Sequence, residues 1–358
     1  MTGLALAAET SRPAKFSAAD VAVVIVTYNR VVELRRCLAS LQRQHPGIGQ
    51  VTVFDNASSD GTDEMVRTEY PWVRLVTSPE NLGACVARNE AARGSTEALI
   101  WFLDSDTEVV ELDGGGRMAA LFDGSDVAAV GGEAVVTARG RVIGVKRLRL
   151  TPNALVQGDL ILADEPEVSH CDVIASCNLM VRRSDFEAAS GFDPFYFFFY
   201  EDMDLTWRLS NKGRTLLALS SMPVIHRYSD SARIRRIWPE SRNRTYFIIK
   251  NFGWARLLIL PALDVAQMIR TDSILRLLRR AAKSSDAMSL VTVRDAGATQ
   301  PRGAAQRAAR LIARMLGRLL LTYAAVPFVL GPALKARALL SPQERLGPAM
   351  PRARSPAE

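Results

Sequence analysis

The sequence predicts an α/β protein: a mostly parallel, doubly wound sheet flanked by helices, followed by a basic helical C-terminal region. Three observations predict it. Short β-branched runs alternate with helical patterns from Val21 to about residue 110, the rhythm of parallel strands joined by crossover helices. Polar residues gather where those strands end. After residue 226 the composition turns to arginines, tryptophans and long apolar runs.

The elements follow in order. "VAVVIVTYNR" from Val21 is a continuous apolar run closed by a polar turn, the mark of a strand buried on both faces. In "VVELRRCLASLQRQ", Leu34, Leu38 and Leu41 recur at helical spacing with charges opposite. "QVTVFDNASSDGTDEMVRTEY" reads as strand, polar loop and a helix opened by Asp60 or Thr62. "VRLVTSPENLG" and "EALIWFLDSD" add two strands around the helix "ACVARNEAARG", which ends on Gly94. Beyond Gly131 the pattern loosens. "VIGVKRLRL" and "VIASCNLMV" read as strands and "RSDFEAASG" as a short helix closed by Gly191, a region suited to an antiparallel edge and a second lobe. "EDMDLTWRLSNKG" is a helix from Glu201 to a stop at Gly213, and "RTLLALSSMPVIH" returns as a strand.

With 358 residues, nearly half of them hydrophobic, the chain can bury a full core. Its four cysteines have neither zinc-ligand spacing nor the density of a disulfide framework, which favours a reducing compartment. Residues 1–19 lack a charged n-region before an apolar run and read as a flexible leader. The net charge of +7 hides a division: residues 1–226 carry 21 Lys and Arg against 30 Asp and Glu, a net −9, while residues 227–358 carry 24 against 8, a net +16. Arginine beside Trp238, Trp254 and apolar helical faces suits helices lying on an anionic leaflet; packing against the main domain is the other reading. The uncharged run Leu319–Leu334 falls short of the roughly 20 residues a spanning helix needs and contains Pro327 and Pro332. No nucleic-acid-binding motif accompanies the charge, so no nucleic-acid partner is expected. A flexible segment is expected at about 284–303, "SSDAMSLVTVRDAGATQPRG".

In an open parallel sheet, ligands bind beyond the carboxyl ends of the strands. Thr27, Tyr28 and Asn29 end the first strand, Asp55 and Asn56 the second, and Asp104, Ser105 and Asp106 the fourth. Neither a G-x-G-x-x-G loop nor a P-loop is present to cradle phosphate with backbone amides. "LDSD" offers a different solution, because two carboxylates one residue apart can hold Mg²⁺ or Mn²⁺, which can bridge a diphosphate. In "YFFFYEDMDLTW", Glu201, Asp202 and Asp204 open a helix directly after an aromatic wall. The first turn of a helix favours carboxylates in any case.

The blocks "VTYNR", "DNASSDGT", "NLGACVARNEA", "LDSD", "GFDPFYFFFYEDMDLTWRL" and "VIH", in this order, resemble the inverting family 2 glycosyltransferases of GT-A fold, especially the bacterial rhamnosyltransferase-like branch. The resemblance covers roughly Val21 to His226. It implies a glycosyltransferase domain over 20–226, with a nucleotide half at about 20–110 and an acceptor half at about 127–226; the composition of 227–358 makes that region a basic helical one expected at a membrane. The resemblance implies that Thr27, Tyr28, Asn29, Asp55, Arg88 and Asp104 lie around the nucleotide, and that Asp106, Asp104 and His226 hold Mg²⁺ or Mn²⁺. Asp202 becomes the base that accepts the acceptor hydroxyl proton, as in-line inversion requires, with Glu201 orienting acceptor or base. Asp204, about 200° round the helix from Asp202, is structural.

The implied reaction moves one sugar from a nucleotide-diphospho-sugar, dTDP-rhamnose or a UDP-sugar, to a lipid-linked or cell-envelope glycan in polysaccharide biosynthesis. The implied place is the cytoplasmic face of the plasma membrane, on the inner-membrane surface; a homo-oligomer is left open. Two alternatives are a sugar-1-phosphate nucleotidyltransferase, which would need a glycine-rich basic loop that "TYNRVVEL" lacks, and a non-catalytic glycan-binding relative.

Overall fold

Val21, Val23 and Ile25 alternate with equally buried Ala22 and Val24 along strand β1 (Val21–Thr27), so both faces of this strand are covered. Burying such side chains stabilises the fold by about 1.5–3 kcal/mol each. The computed structural model describes residues 15–44, 47–124, 126–136, 142–162, 168–222, 224–226, 237–267 and 304–341. The flexible segment expected at 284–303 and residues 1–14 of the expected leader lie outside the described residues. Residues 18–20 form a 3₁₀ turn, and the Lys15 backbone N–H donates to Asp123 at 2.6 Å.

The chain divides into two units: Met1–Val135, Gly144–Leu148 and Asp159–Tyr228 in the first, and Val136–Ile143, Arg149–Gly158 and Ser229–Glu358 in the second. The first unit is built on an eight-stranded sheet. β1 lies between β2 (Val51–Asp55) and β4 (Leu99–Asp104), with β3 (Arg74–Thr77) beyond β2, all parallel. Helices α1 (Val31–Gln42), α2 (Thr62–Glu69) and α3 (Gly83–Arg93) make the crossovers. Leu34, Leu38 and Leu41 are buried, as their spacing predicts. α2 begins at Thr62 because Gly61 adopts φ +83°, while the Asp60 carboxylate accepts from Thr62 N–H and from Val31 N–H at the start of α1.

A second sheet has the order β5-β13-β7-β8-β9. Its strands are β5 (Thr107–Val109), β7 (Glu133–Val136), β8 (Val142–Leu150), β9 (Val156–Leu162) and β13 (Val224–His226). The first sheet is completed by β6 (Val127–Gly131), β10 (Val168–His170), β11 (Asn178–Arg182) and β12 (Thr215–Leu219). Its order is β10-β12-β6-β11-β4-β1-β2-β3. β11 runs antiparallel between β4 and β6, in the interior of the sheet rather than at an edge. It is also shorter than "VIASCNLMV" suggests, since it starts at Asn178. The Asn178 side chain accepts from Trp101 Nε1 and donates to the carbonyls of Gly132 and Met222. The helices α4 (Gly114–Ala120), α5 (Arg183–Ala188) and α6 (Glu201–Asn211) complete the unit.

In the second unit, α7 (Ile237–Phe247) continues as a π turn to Phe252, α8 spans Arg256–Gln267 and α9 spans Ala304–Ala338. α9 continues through Pro327 and Pro332, so its apolar part is longer than the uncharged run alone. A polar network is buried in this unit among apolar side chains such as Phe247, Ile248 and Leu260. The buried Arg244 guanidinium donates to Asp264 at 2.8 Å and to the Asn153 carbonyl at 2.6 Å, and Asn153 Nδ2 donates to the same Asp264 oxygen.

Candidate active site

The parallel register puts the ends of three strands on one rim: Thr27 sits beside Asp55, and Val26 beside Asp104. Strand order reverses between β4 and β1, where a doubly wound sheet opens its ligand crevice. Tyr28 is exposed there. The Thr27 hydroxyl is buried without a hydrogen-bond partner among the described residues, a position that invites a ligand atom. Asp55 is buried and accepts from Ser58 N–H at 2.9 Å. Asn29 adopts φ +51°, and its side-chain oxygen accepts from Ser59 N–H at 2.8 Å. It therefore shapes the rim by clasping the loop after β2.

Asp104 ends β4, a turn through Ser105 carries Asp106, and β5 follows. β13 pairs antiparallel with β5 and sets His226 opposite Thr107, which brings this distant histidine beside the D-x-D turn. His226 Nε2 lies 3.1 Å from Asp106 Oδ1 and 3.8 Å from Asp104 Oδ2. One ligand atom from each of the three residues falls within 4.8 Å of the others. Two carboxylates and an imidazole converging in this way fit a divalent cation. Burial pushes the Asp106 carboxyl up, but hydrogen bonding and charge from His226, with the charge of Arg30, hold it below the ordinary carboxylate range. Arg30 Nη1 donates to Asp106 Oδ2 at 3.0 Å. Sequence reasoning gave Arg30 no role although it stands in "VTYNR"; nothing local announces that it reaches a carboxylate 76 residues away.

Arg88, expected around the nucleotide, lies next to Asp104 on the rim. It is buried on α3, donating through Nη1 to Glu201 Oε1 at 2.9 Å and through Nη2 to Asp104 Oδ1 at 2.7 Å. One guanidinium thus ties the start of α6 to the end of β4. The second Glu201 oxygen is buried with no hydrogen-bond partner among the described residues. Desolvation, then the charge of Asp202, push the Glu201 carboxyl up to about 7 against the pull of Arg88.

Asp202 is partly exposed, and its carboxylate accepts from the Ser176 backbone N–H at 3.2 Å and from Met203 N–H at 2.7 Å. Burial raises its pKa, those two amides and Arg88 oppose the rise, and Asp104 adds to it. Ser176 enters the site through its backbone, a role no side-chain pattern could signal. Asp204 is fully buried between Tyr196 Oη at 3.0 Å and Arg208 Nε at 2.8 Å, the structural place expected for it.

The aromatic run is held in an uncommon backbone conformation. Phe197, Phe199 and Tyr200 all adopt left-handed φ of 59–70°, which costs on the order of 1–3 kcal/mol each for such residues. None of the three carboxylates caps α6; Tyr200 is its N-cap. The compensation comes from "NLGA": Ala84 N–H donates to the Phe197 carbonyl at 2.8 Å. Gly83 has φ +78°, and a Cβ there would strike the Phe197 ring. Gly191, at φ +67°, and Asp193, which accepts from Phe195 N–H at 3.0 Å, turn the chain into this run. Phe197 and Phe198 remain exposed.

Residues 22–188 match the family described as Glycosyl transferase family 2. The N-acetylglucosaminyl-diphospho-decaprenol L-rhamnosyltransferase of Mycobacterium tuberculosis is 30% identical over 241 residues, 58% of this chain and 76% of that protein. Glycosyltransferase AglE of Haloferax volcanii is 28% identical over 203 residues, 55% of this chain and 63% of that one. The fold is similar to that of the mannosyltransferase PcManGT from Pyrobaculum calidifontis, solved with GDP-Man and Mn²⁺. The TM-score is 0.54 at 16% identity, over 87% of this chain and 91% of that one.

Proposed function

The chain belongs to glycosyl transferase family 2, and from that premise we propose that it moves a single sugar, with inversion, from a nucleotide-diphospho-sugar to a lipid-linked or cell-envelope glycan acceptor. One observation carries the reading: Arg88 clamps Glu201, next to the base Asp202, and Asp104, within the Asp104–Asp106–His226 cluster, on a single buried guanidinium. A base and a cation-binding set held on one rigid tie are what in-line displacement at an anomeric carbon needs.

Asp104, Asp106 and His226 would hold the divalent cation, which supplies positive charge to the diphosphate of the donor. Thr27, Tyr28 and Asp55 line the nucleotide side of the rim. Asp202 accepts the proton of the acceptor hydroxyl as that oxygen forms its bond to the anomeric carbon and the bond from that carbon to the diphosphate breaks. Ser176 and Met203 N–H aim the Asp202 carboxylate. Glu201, buried and tied to Arg88, positions the start of α6. Exposed Phe197 and Phe198 offer an apolar platform for the acceptor. The rhamnosyltransferase relative supports rhamnose as the sugar moved, with dTDP-rhamnose the donor proposed and UDP-sugars the competing class, and its decaprenol-linked substrate supports a lipid-linked acceptor here.

Asp202→Asn tests the assignment. Transfer should fall by about a thousandfold, the middle of the range for a removed general base. Donor affinity should stay within about threefold, since Asp202 faces the acceptor hydroxyl rather than the nucleotide. Turnover at the wild-type rate would remove Asp202 as the base.

A further inference from the structure

We propose that the exposed apolar face of α8 and α9 docks the protein on an anionic lipid bilayer, with both helices lying within one leaflet. α8 is built inside out. Beyond Arg256 at its start, its one charged side chain, Asp264, is buried with Leu257 and Leu260, while its outward positions are Leu258, Ile259, Ala262, Val265 and Ala266. A helix facing water has the opposite arrangement.

α9 repeats the inversion. Small or polar residues, Thr322, Ala325, Val329 and Ala333, form its buried stripe, and Leu320 and Phe328 stand 72% and 66% exposed. Leu316–Ala338 is long and apolar enough for a bilayer, yet only 22% of its most apolar window is buried inside the protein. The two faces are continuous. Tyr323 Oη donates to the Leu257 carbonyl at 2.6 Å, and Trp238 packs edge-on against Phe328 at 5.7 Å. Trp254, 58% exposed, sits at the 117° corner that leads into α8. Such a surface far exceeds the scattered apolar residues of an ordinary soluble face.

Charge decides what covers it. Residues 227–358 carry a net +16, which opposes a second copy and attracts an anionic surface. Arg318 and Lys335 bracket a stretch of α9 without charges, placed so that their stems can follow the apolar face while the cations reach headgroups. The helices lie in the leaflet rather than cross it because α9 is tied to α7 and to the π turn that follows it. Thr245 Oγ1 donates to the Thr322 carbonyl, and Arg337 donates to the Lys250 and Asn251 carbonyls. A crossing α9 would drag α7, with its exposed Glu240, into hydrocarbon. The inference stands apart from the catalytic assignment, and it would bring the proposed lipid-linked acceptor and the protein to the same surface.

The test is co-sedimentation of the full chain with phosphatidylcholine vesicles, with and without phosphatidylglycerol. Binding should require phosphatidylglycerol and persist in part at high salt. Leu258→Glu and, separately, Leu320→Glu should each weaken partitioning on the order of tenfold or more, with circular dichroism unchanged. A Phe328→Trp variant should be quenched more by lipids brominated near the headgroup than by those brominated near the chain end. Transfer to a water-soluble acceptor analogue should be unaffected by either glutamate, which separates failure here from failure of the catalytic reading. The proposal is overturned if the protein stays in the supernatant, if neither glutamate weakens binding, or if deep bromines quench more strongly. A lipid-free dimer that shields Trp254 from an aqueous quencher would also overturn it.

Discussion

Replacing Arg88 by Met keeps an unbranched apolar stem and removes the guanidinium with its charge and its donors. In the wild type the guanidinium makes hydrogen bonds of 2.9 and 2.7 Å to Glu201 and Asp104, and the side chains of Arg88 and Glu201 are each 4% exposed. Removing one partner of a buried ion pair costs roughly 3–5 kcal/mol, because the other charge stays desolvated. Glu201 can escape part of that penalty by taking up a proton, since burial already lifts its pKa. The loss should therefore depend on pH.

With a folded-state pKa raised from 4.5 to about 7, the contribution of Glu201 to stability is full below 4.5 and is lost as pH rises through 7. Without Arg88, which pulls that pKa down, the folded-state value rises further and the difference between variant and wild type widens with pH. Urea unfolding at pH 8 should show a loss of about 3 kcal/mol or more, shrinking toward pH 5. Adding Glu201→Gln should recover on the order of 2 kcal/mol of it, a coupling typical of residues in one buried network. A loss below about 1 kcal/mol at pH 8, or strict additivity of the two substitutions, would refute the clamp.

Three other outcomes follow from the site. Asp106→Ala should reduce Mn²⁺ affinity, measured by the electron paramagnetic resonance of free Mn²⁺, by tenfold or more on the order expected for a lost metal ligand; unchanged affinity would place the cation elsewhere. Asp202 must be ionised to accept a proton and its pKa is raised by burial, so kcat/KM should fall with decreasing pH at an apparent pKa above the ordinary carboxylate range. Because Asp202 and Glu201 interact, that limb belongs to the pair. Gly83→Ala combines a left-handed φ with a collision against the Phe197 ring. It should lower thermal stability by roughly 1–3 kcal/mol and reduce turnover through the displaced aromatic run, and a variant of normal stability and rate would show that Gly83 does not hold the run in place.

Local pattern alone determined much of this protein. The β-branched run at Val21–Thr27, the Leu34, Leu38 and Leu41 spacing and the polar strand ends at Thr27, Asp55 and Asp104 were legible because side-chain periodicity reports which face of an element is buried. Parallel strands also align their carboxyl ends, so residues as far apart in the chain as Thr27 and Asp104 fall on one rim by strand direction alone. The charge division at residue 226 was equally visible.

Only the tertiary structure decided the rest. That β11 enters the middle of the sheet in reverse, and that β13 pairs with β5 to carry His226 to Asp106, depends on strand pairings between segments far apart in the chain, which hydrophobic periodicity does not specify. The same holds for the guanidinium of Arg88, which reaches two carboxylates on different elements, and for Asp264, buried on a helix whose Leu258 and Ile259 face out. A buried charge goes where it finds a partner, because leaving it unpaired in a low-dielectric interior costs more than any local preference supplies. That partner is chosen by packing across the whole chain.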